Sequence, residues 1–192
     1  MGRPLSLRNN KFFPIAEGMK AVHELELGQL TGNAVVIDVT EQVSENRDYR
    51  IQIDDILDWE NHFGTIPSGA ILLFRTGFSD YWPDAEQYLG TSDRGDNAIQ
   101  HLSFPGIHHE MAEWLVTNRN IKAVGLDTAS LDYGQSTEFK SHQILFKENI
   151  PGFENVANLD QLPPTGSYVI ALPMKIRDGS GAPLRIIALI SG

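Results

Sequence analysis

The chain has 192 residues, of which 41% are hydrophobic and 21% are charged, a composition typical of one soluble globular domain. Its formal net charge of -10 opposes binding to nucleic acid and to anionic lipid heads, and leaves small molecules and other proteins as partners. The absence of cysteine excludes disulfides and thiolate chemistry and is compatible with a cytoplasmic protein. No stretch approaches the roughly 20 apolar residues that a membrane-spanning helix needs.

The N-terminal part shows no clear hydrophobic period. Residues 1–13 are locally basic, and we expect them to form a poorly ordered lead-in to a single domain over residues 14–192. The mixed sequence between residues 14 and 30 predicts a connector with one short helical turn at most. No linker, low-complexity tract or internal repeat divides the rest of the chain.

Two continuous apolar runs, at residues 34–39 and 70–76, predict buried strands. Between them, residues 53–59 have apolar positions at helical spacing and acidic residues in the first turn. We therefore predict a helix with Asp54 as its N-cap and Gly64 at its end.

The second half alternates irregular and regular segments. Residues 77–103 carry turn residues and aromatic side chains with little sign of regular structure, whereas residues 107–118 have the clearest helical period. Further strands are predicted at residues 122–127, 168–173 and 185–190. Five strands with helices between them predict a mixed-sheet α/β domain.

Two aspartates follow a predicted buried strand, at the end of a sheet where α/β proteins commonly bind ligands. Asp127 and Asp132 are candidates for functional carboxylates. The alternative is that they cap turns by accepting hydrogen bonds from backbone amides. The residues alone do not decide between the two.

The candidate chemistry lies in residues 136–163. His142 and Glu154 are twelve residues apart, on either side of a loop that contains Pro151 and Gly152. An imidazole and a carboxylate in one pocket can bind a metal ion or exchange a proton with a substrate. Ser141 is a possible N-cap for a helix that includes His142, and the alternative is a histidine with a purely structural role.

A second histidine pair, His108 and His109, invites a metal interpretation as well. Adjacent residues in a helix point about 100° apart, so these imidazoles are poorly placed to share one ion, and a solvated helix start is the better interpretation. The sequence contains no HExxH, GxSxG or GxxxxGK motif, which gives no support to zincin, α/β-hydrolase or P-loop chemistry.

Taken together, these segments resemble the cyclase family of metal-dependent hydrolases, which includes bacterial-type kynurenine formamidases and isatin hydrolases. The resemblance covers nearly everything from about Phe13 onward. It rests on residues 30–39, 73–78, 104–107, 124–132, 136–142, 154–160, 173–176 and 179–183, and on the closing strand.

The resemblance implies a swivelling β/β/α fold, with a mixed sheet or barrel core and flanking helices, in a homo-oligomer. It implies a water bound to zinc or manganese that attacks an N-formyl aryl amine or a related cyclic amide, as in the arylformamidase step of tryptophan catabolism. His142 and Glu154 match the late histidine and glutamate at the family's metal centre. Phe78, Tyr81 and Trp82 would then help to enclose an aryl substrate.

The chain departs from the family at its start. Members carry an early HxGTHxDxPxHF motif that supplies most metal ligands, whereas residues 9–13 here read Asn-Asn-Lys-Phe-Phe and match only its last position. The first strands of the fold are expected to be missing too. Two interpretations follow: an active hydrolase like its relatives, or a truncated or splice-variant member that is at most a non-catalytic partner of a full-length relative.

Overall fold

The computed structural model describes residues 19–190. The helices are α1 (Thr40–Glu45), α2 (Ile53–Phe63), α3 (Ala85–Leu89), α4 (His109–Asn118) and α5 (Lys140–Lys147). The strands are β1 (Thr31–Asp38), β2 (Arg50–Ile51), β3 (Ala70–Arg75), β4 (Gly106–Ile107), β5 (Ile121–Leu126), β6 (Gly152–Phe153), β7 (Ser167–Pro173) and β8 (Leu184–Ile190). Among residues 19–190, no helix combines the length and the apolar character that a membrane crossing requires.

Six of these strands form one curled, mixed sheet in the order β6-β5-β3-β1-β7-β8. Strands β1, β3, β5 and β6 run parallel to one another, while β7 is antiparallel to β1 and β8 is antiparallel to β7. Strands β2 and β4 form a separate parallel pair. The predicted mixed-sheet α/β fold is therefore confirmed.

The central strands are buried on both faces. Val35 and Leu72 point into the core cluster that includes residues of α2 and α4, whereas Ala34 and Leu73 point into a second cluster on the opposite face. A strand covered on both sides needs apolar residues at every position. This explains why β1 and β3 are continuous apolar runs and were predictable as buried strands.

Strands β7 and β8 are covered less well. Their burial alternates, and Tyr168, Leu172, Ile187 and Leu189 are exposed on one face. Strand β8 is the last strand of the sheet within residues 19–190. This hairpin differs sharply from the helix-covered strands beside it.

Several local predictions need correction. The segment predicted to be irregular contains α3, which the Asp84 side chain caps by accepting a hydrogen bond from the Gln87 amide, and it also contains short 3-10 helices. The N-cap of α2 is Gln52 and not Asp54, because the Gln52 amide donates to the Asp55 carboxylate at 2.7 Å.

Other boundaries agree with the sequence. Helix α2 ends at Gly64, and the connector before β1 contains one short 3-10 turn at Val22–Glu24. The predicted lead-in over residues 1–13 lies outside the described residues.

Candidate active site

Asp127 joins the ends of two parallel strands. It follows β5, and its carboxylate accepts hydrogen bonds from the Thr76 amide at 2.9 Å, the Thr76 hydroxyl at 2.5 Å and the Gly77 amide at 2.9 Å, just after β3. Burial raises the pKa of Asp127 despite these donors. For this residue the structure supports the interpretation as a backbone-capping carboxylate.

Asp132 has two functions at once. Its carboxylate accepts hydrogen bonds from the Ser141 and His142 amides at 3.0 and 3.3 Å, which satisfies the first turn of α5. It also lies 2.5 Å from His142 Nδ1. Burial works against ionisation of Asp132, but the hydrogen bond from His142 outweighs it and lowers the pKa of the carboxyl.

The predicted cap of this helix is wrong. The N-cap position of α5 is Phe139, in the left-handed region with φ 54°, and the capping carboxylate comes from Asp132. The Ser141 hydroxyl instead donates to the Ile107 carbonyl at 2.7 Å. The loop that carries Asp132 is thereby connected to β4 through the start of α5.

Gly106 allows this loop to pack directly against β4. A Cβ atom at Gly106 would lie 2.2 Å from the Tyr133 amide nitrogen and 2.4 Å from the Asp132 carbonyl carbon. No side chain fits at these distances. Glycine at this position is therefore what allows the Asp132 backbone to reach its place behind His142.

His142 and Glu154 come together, as predicted. His142 Nε2 lies 3.0 Å from Glu154 Oε1, and the same oxygen accepts a hydrogen bond from the Leu131 amide at 3.2 Å. Burial disfavours the charged imidazole, but its hydrogen bonds to Asp132 and Glu154 outweigh burial and raise the pKa of His142 to about 9. The imidazole is thus held between two carboxylates.

A carboxylate behind one ring nitrogen leaves the other nitrogen oriented for a ligand, an arrangement common around metal-bound histidines. A catalytic zinc ion, however, normally has about three protein ligands and a water. Among residues 19–190 no group of three or more His, Cys, Asp or Glu side chains could hold a metal ion. The donors that this part of the chain supplies do not fit a complete catalytic metal site.

The three aromatic residues predicted to enclose a substrate differ in their exposure to solvent. Phe78 is buried in the core, with its ring 5.3 Å from the Tyr81 ring. Tyr81 and Trp82 keep 39% and 50% of their surface exposed. Trp82 also meets the Tyr88 ring edge-on at 5.5 Å. Phe78 therefore packs against Tyr81, whereas Trp82 packs against Tyr88.

Tyr88 is the residue that sequence reasoning missed. Its hydroxyl lies 3.0 Å from the Asp127 carbonyl oxygen and 3.0 Å from Asn155 Oδ1, next to Glu154 in the chain. Burial, and then the charges of Asp127 and Glu154, raise the pKa of Tyr88. The only sequence signal was its membership in the aromatic stretch after β3, which does not distinguish it from Tyr81 or Trp82.

A groove of about 400 Å³ lies beside Glu154. Its apolar lining includes Leu73, Val169 and Ile186, and its amide-bearing lining includes Asn155 and Asn158. The size is within the range of small-molecule sites. The groove therefore combines apolar contact area with hydrogen-bonding groups next to the His142–Glu154 pair.

The other histidine pair lies at a helix start, as predicted, but its two rings stack instead of pointing apart, and the His108 side chain is only 17% exposed. His108 is the N-cap of α4 and accepts a hydrogen bond from the Glu110 amide at 3.3 Å, while its ring stacks on His109 at 4.5 Å.

Comparison with known proteins identifies the class. The sequence profile of the family described as Putative cyclase matches residues 12–133, and the chain belongs to this family. His142 and Glu154 lie after the matched stretch. The predicted family is thereby confirmed.

Individual relatives agree with the family. The chain is 28% identical over 170 residues to an isatin hydrolase of Roseibium aggregatum, covering 86% of this chain and 62% of the relative. It is 30% identical over 174 residues to a kynurenine formamidase of Salinibacter ruber, covering 88% of this chain and 67% of the relative. The chain thus spans less than two thirds of the isatin hydrolase it matches.

Solved structures show the same fold. Isatin hydrolase A from Ralstonia solanacearum superposes with a TM-score of 0.83 and 35% identity, over 93% of this chain and 67% of that one. A structure from Bacillus stearothermophilus, described as a predicted metal-dependent hydrolase, has a TM-score of 0.60 and 25% identity, over 90% of this chain and 70% of its own. The chain therefore has metal-dependent hydrolases among its structural relatives.

Proposed function

We propose that this chain is a hydrolase that cleaves an amide bond of an aromatic substrate, either an N-formyl aryl amine or a related cyclic amide. His142 and Glu154 are its catalytic contribution and two of the ligands of a zinc or manganese centre. The observation that carries the proposal is the 3.0 Å contact between His142 Nε2 and Glu154 Oε1, with Asp132 fixing the opposite ring nitrogen. Residues 19–190 supply no third ligand to this centre.

The chain's own residues prepare this pair in three ways. Asp132 fixes the ring orientation, and the Leu131 amide orients the Glu154 carboxylate. The Tyr88 hydroxyl holds the Asn155 side chain beside it. A preorganised pair needs little rearrangement when a further ligand or substrate arrives.

The substrate class is supported by the surroundings of the pair. The exposed rings of Tyr81, which packs against Phe78, and Trp82, which packs against Tyr88, offer aromatic contact area. The groove beside Glu154 adds amide groups that could hold the polar end of an uncharged molecule. A cytoplasmic location is part of the same proposal and agrees with the absence of cysteine.

Activity on formanilide, the simplest N-formyl aryl amine, tests the proposal. We expect turnover by the purified chain when Zn²⁺ or Mn²⁺ is supplied. The turnover number should fall by at least about 100-fold in His142→Ala, because general acid–base groups contribute effects of this size. His62→Ala is the matched control, since His62 is exposed on α2, and it should keep full activity. Full activity in the His142 variant would remove that residue from the mechanism.

The shortage of donors favours a second candidate, a non-catalytic family member that acts as an oligomerisation partner of a full-length relative. Because only two donors converge among residues 19–190, such a chain would bind the ion weakly. This second candidate predicts that the wild-type chain folds but hydrolyses no formanilide with either Zn²⁺ or Mn²⁺. It also predicts a changed turnover number of the full-length relative when the two are mixed.

A further inference from the structure

A second cavity, of about 160 Å³, lies between β2 and the starts of α4 and α5. Asp132 and Ser141 contribute to its wall, whereas His142 and Glu154 do not. Among residues 19–190 it shares no lining residue with the groove beside Glu154. Because a water molecule takes up about 30 Å³ of liquid volume, the cavity has room for one small ion and a few waters.

Arg50 brings an unpaired positive charge to this cavity. Its guanidinium lies over the Tyr133 ring, 3.9 Å from the ring centroid, and this contact holds the side chain in place. Arg75 and Arg119 each form an ion pair with a carboxylate, but within residues 19–190 no carboxylate lies within 4 Å of the Arg50 guanidinium. The N–H donors of Arg50 are therefore available to an anion.

Two histidines at the start of α4 line the same cavity. The rings of His108 and His109 stack with 4.5 Å between their centroids. The pKa of His108 is lowered, first by burial and then by repulsion from His109 and Arg50, although the charge of Glu110 acts in the opposite direction. An anion in the cavity would relieve this repulsion.

The two carboxylates that line the cavity already have partners. Glu138 lies 2.9 Å from Lys140 Nζ, and Asp132 accepts hydrogen bonds from the start of α5 and contacts the His142 ring. Since both carboxylates are engaged elsewhere, the charge of Arg50 is left for a ligand.

Hydroxyl groups from the loop before α5 complete the lining. Ser136 is only 6% exposed, and its oxygen accepts a hydrogen bond from the Phe139 amide at 3.2 Å. Among the described residues its own proton has no acceptor, so the hydroxyl can donate to a bound ion. Thr137 adds a second hydroxyl. Donors thus converge from β2, α4 and this loop.

We propose that this cavity binds a tetrahedral oxyanion with two negative charges, the chemistry of a phosphate group, through Arg50, His109 and the Ser136 hydroxyl. A guanidinium presents two parallel N–H donors to two oxygens of such an ion. The donors of α4 and of the loop reach the ion from other directions, which suits a tetrahedral ion better than a planar carboxylate. The site requires neither a metal nor hydrolysis, so its test is independent of the proposed amide chemistry.

Sulfate is the probe, because it is a tetrahedral dianion whose charge does not change near neutral pH. An NMR titration at about pH 6 and constant ionic strength follows the ring signals of His108 and His109. We expect saturable shifts with a Kd between about 0.1 and 10 mM, the range that two or three charge-assisted hydrogen bonds supply. Acetate should bind at least about tenfold more weakly, because it is planar and carries one charge.

Substitutions at Arg50 locate the binding. Arg50→Gln should weaken sulfate binding at least about tenfold, because it removes the charged fork, and Arg50→Lys should weaken it less, because it keeps the charge. Arg94→Gln is the matched control, since Arg94 is exposed and does not line the cavity, and it should bind sulfate as wild type does. Urea unfolding checks that each variant folds.

Three results would each overturn the proposal. One is the absence of saturable histidine shifts in the wild type at about 50 mM sulfate. Another is acetate binding as tight as sulfate binding. The third is an unchanged sulfate affinity in a folded Arg50→Gln variant.

Discussion

The central strands of the main sheet and the two strands at its β8 edge are similarly apolar, but their surroundings are very different. Strands β1, β3 and β5 are buried on both faces, and the candidate site lies where β3 and β5 end. Strands β7 and β8 are covered on one face and largely open on the other. An apolar strand therefore does not reveal from its own residues whether this protein covers it.

Buried and exposed apolar residues of this sheet should therefore contribute differently to the stability of the protein. On the covered side, apolar residues fill the core and hold rigid strand ends, from which Asp127 and the Asp132 loop extend. On the open side, residues of the same type remain exposed in the isolated chain. We expect mutations on the covered side to lower the free energy of unfolding, and mutations on the open side to change it little.

The largest contrast should come from two leucines. Leu72 is fully buried in β3, so Leu72→Ala should lower the free energy of unfolding by about 2–5 kcal/mol. Leu189 is 57% exposed, so Leu189→Ala should change it by less than about 0.5 kcal/mol. Urea denaturation at low protein concentration measures both. Equal losses would show that the open face is covered within a single chain.

A second pair of variants tests the close packing of Gly106 against the Asp132 loop, which lies behind His142. Gly106→Ala should destabilise the protein by about 3 kcal/mol, because its Cβ would meet backbone atoms of the Asp132 loop. Gly28 has no atom within 4 Å of the equivalent position, so Gly28→Ala should have little effect. Urea unfolding measures the loss, and the His142 ring signals in NMR should move only in the Gly106 variant. An undisturbed Gly106 variant would contradict the described packing.

A smaller and pH-dependent effect should come from the Glu60–Arg119 ion pair, which ties α2 to the residue after α4. The Arg119 hydrogen bond lowers the pKa of Glu60, outweighing burial. A lowered carboxyl pKa gives stability that is present above the unfolded-state value of about 4.3 and lost as the pH falls through the folded-state value. Glu60→Gln should therefore cost about 1.5 kcal/mol at pH 7, and much less near pH 3.

Chemical denaturation at the two pH values measures this dependence. Glu138→Gln is the control, because the Glu138–Lys140 pair is exposed on both sides and should contribute almost nothing. A Glu60 effect that stays constant between the two pH values would assign the stabilisation to packing instead of charge.

Much of the fold could be predicted from local patterns. The strands of the main sheet from β1 to β8, apart from β6, were evident as strands from their apolar runs, and α4 was evident because its helical period is strong. Helices α1 and α3 were missed because five or six residues give too short a period. Strand β6 was missed because two residues carry no pattern and its pairing with β5 is set by tertiary packing.

The site was only partly predictable. The resemblance to the family singled out His142 and Glu154, and their contact agrees with it. The sequence offered backbone capping as one of two roles for Asp132, but it could not show that the capped amides belong to the start of α5, because that contact depends on the close packing at Gly106. Tyr88 was missed because its partners are far from it in the sequence and are brought close only by the sheet.

We propose that His142 and Glu154 are the two metal ligands that residues 19–190 bring together. Zinc binding by equilibrium dialysis of wild type, His142→Ala and Glu154→Gln tests it most directly. We predict that wild type retains well below one ion per chain after buffer exchange, and that weak binding at excess zinc disappears in both variants. One tightly held ion per chain, ligated by three or more side chains of residues 19–190, would contradict the claim.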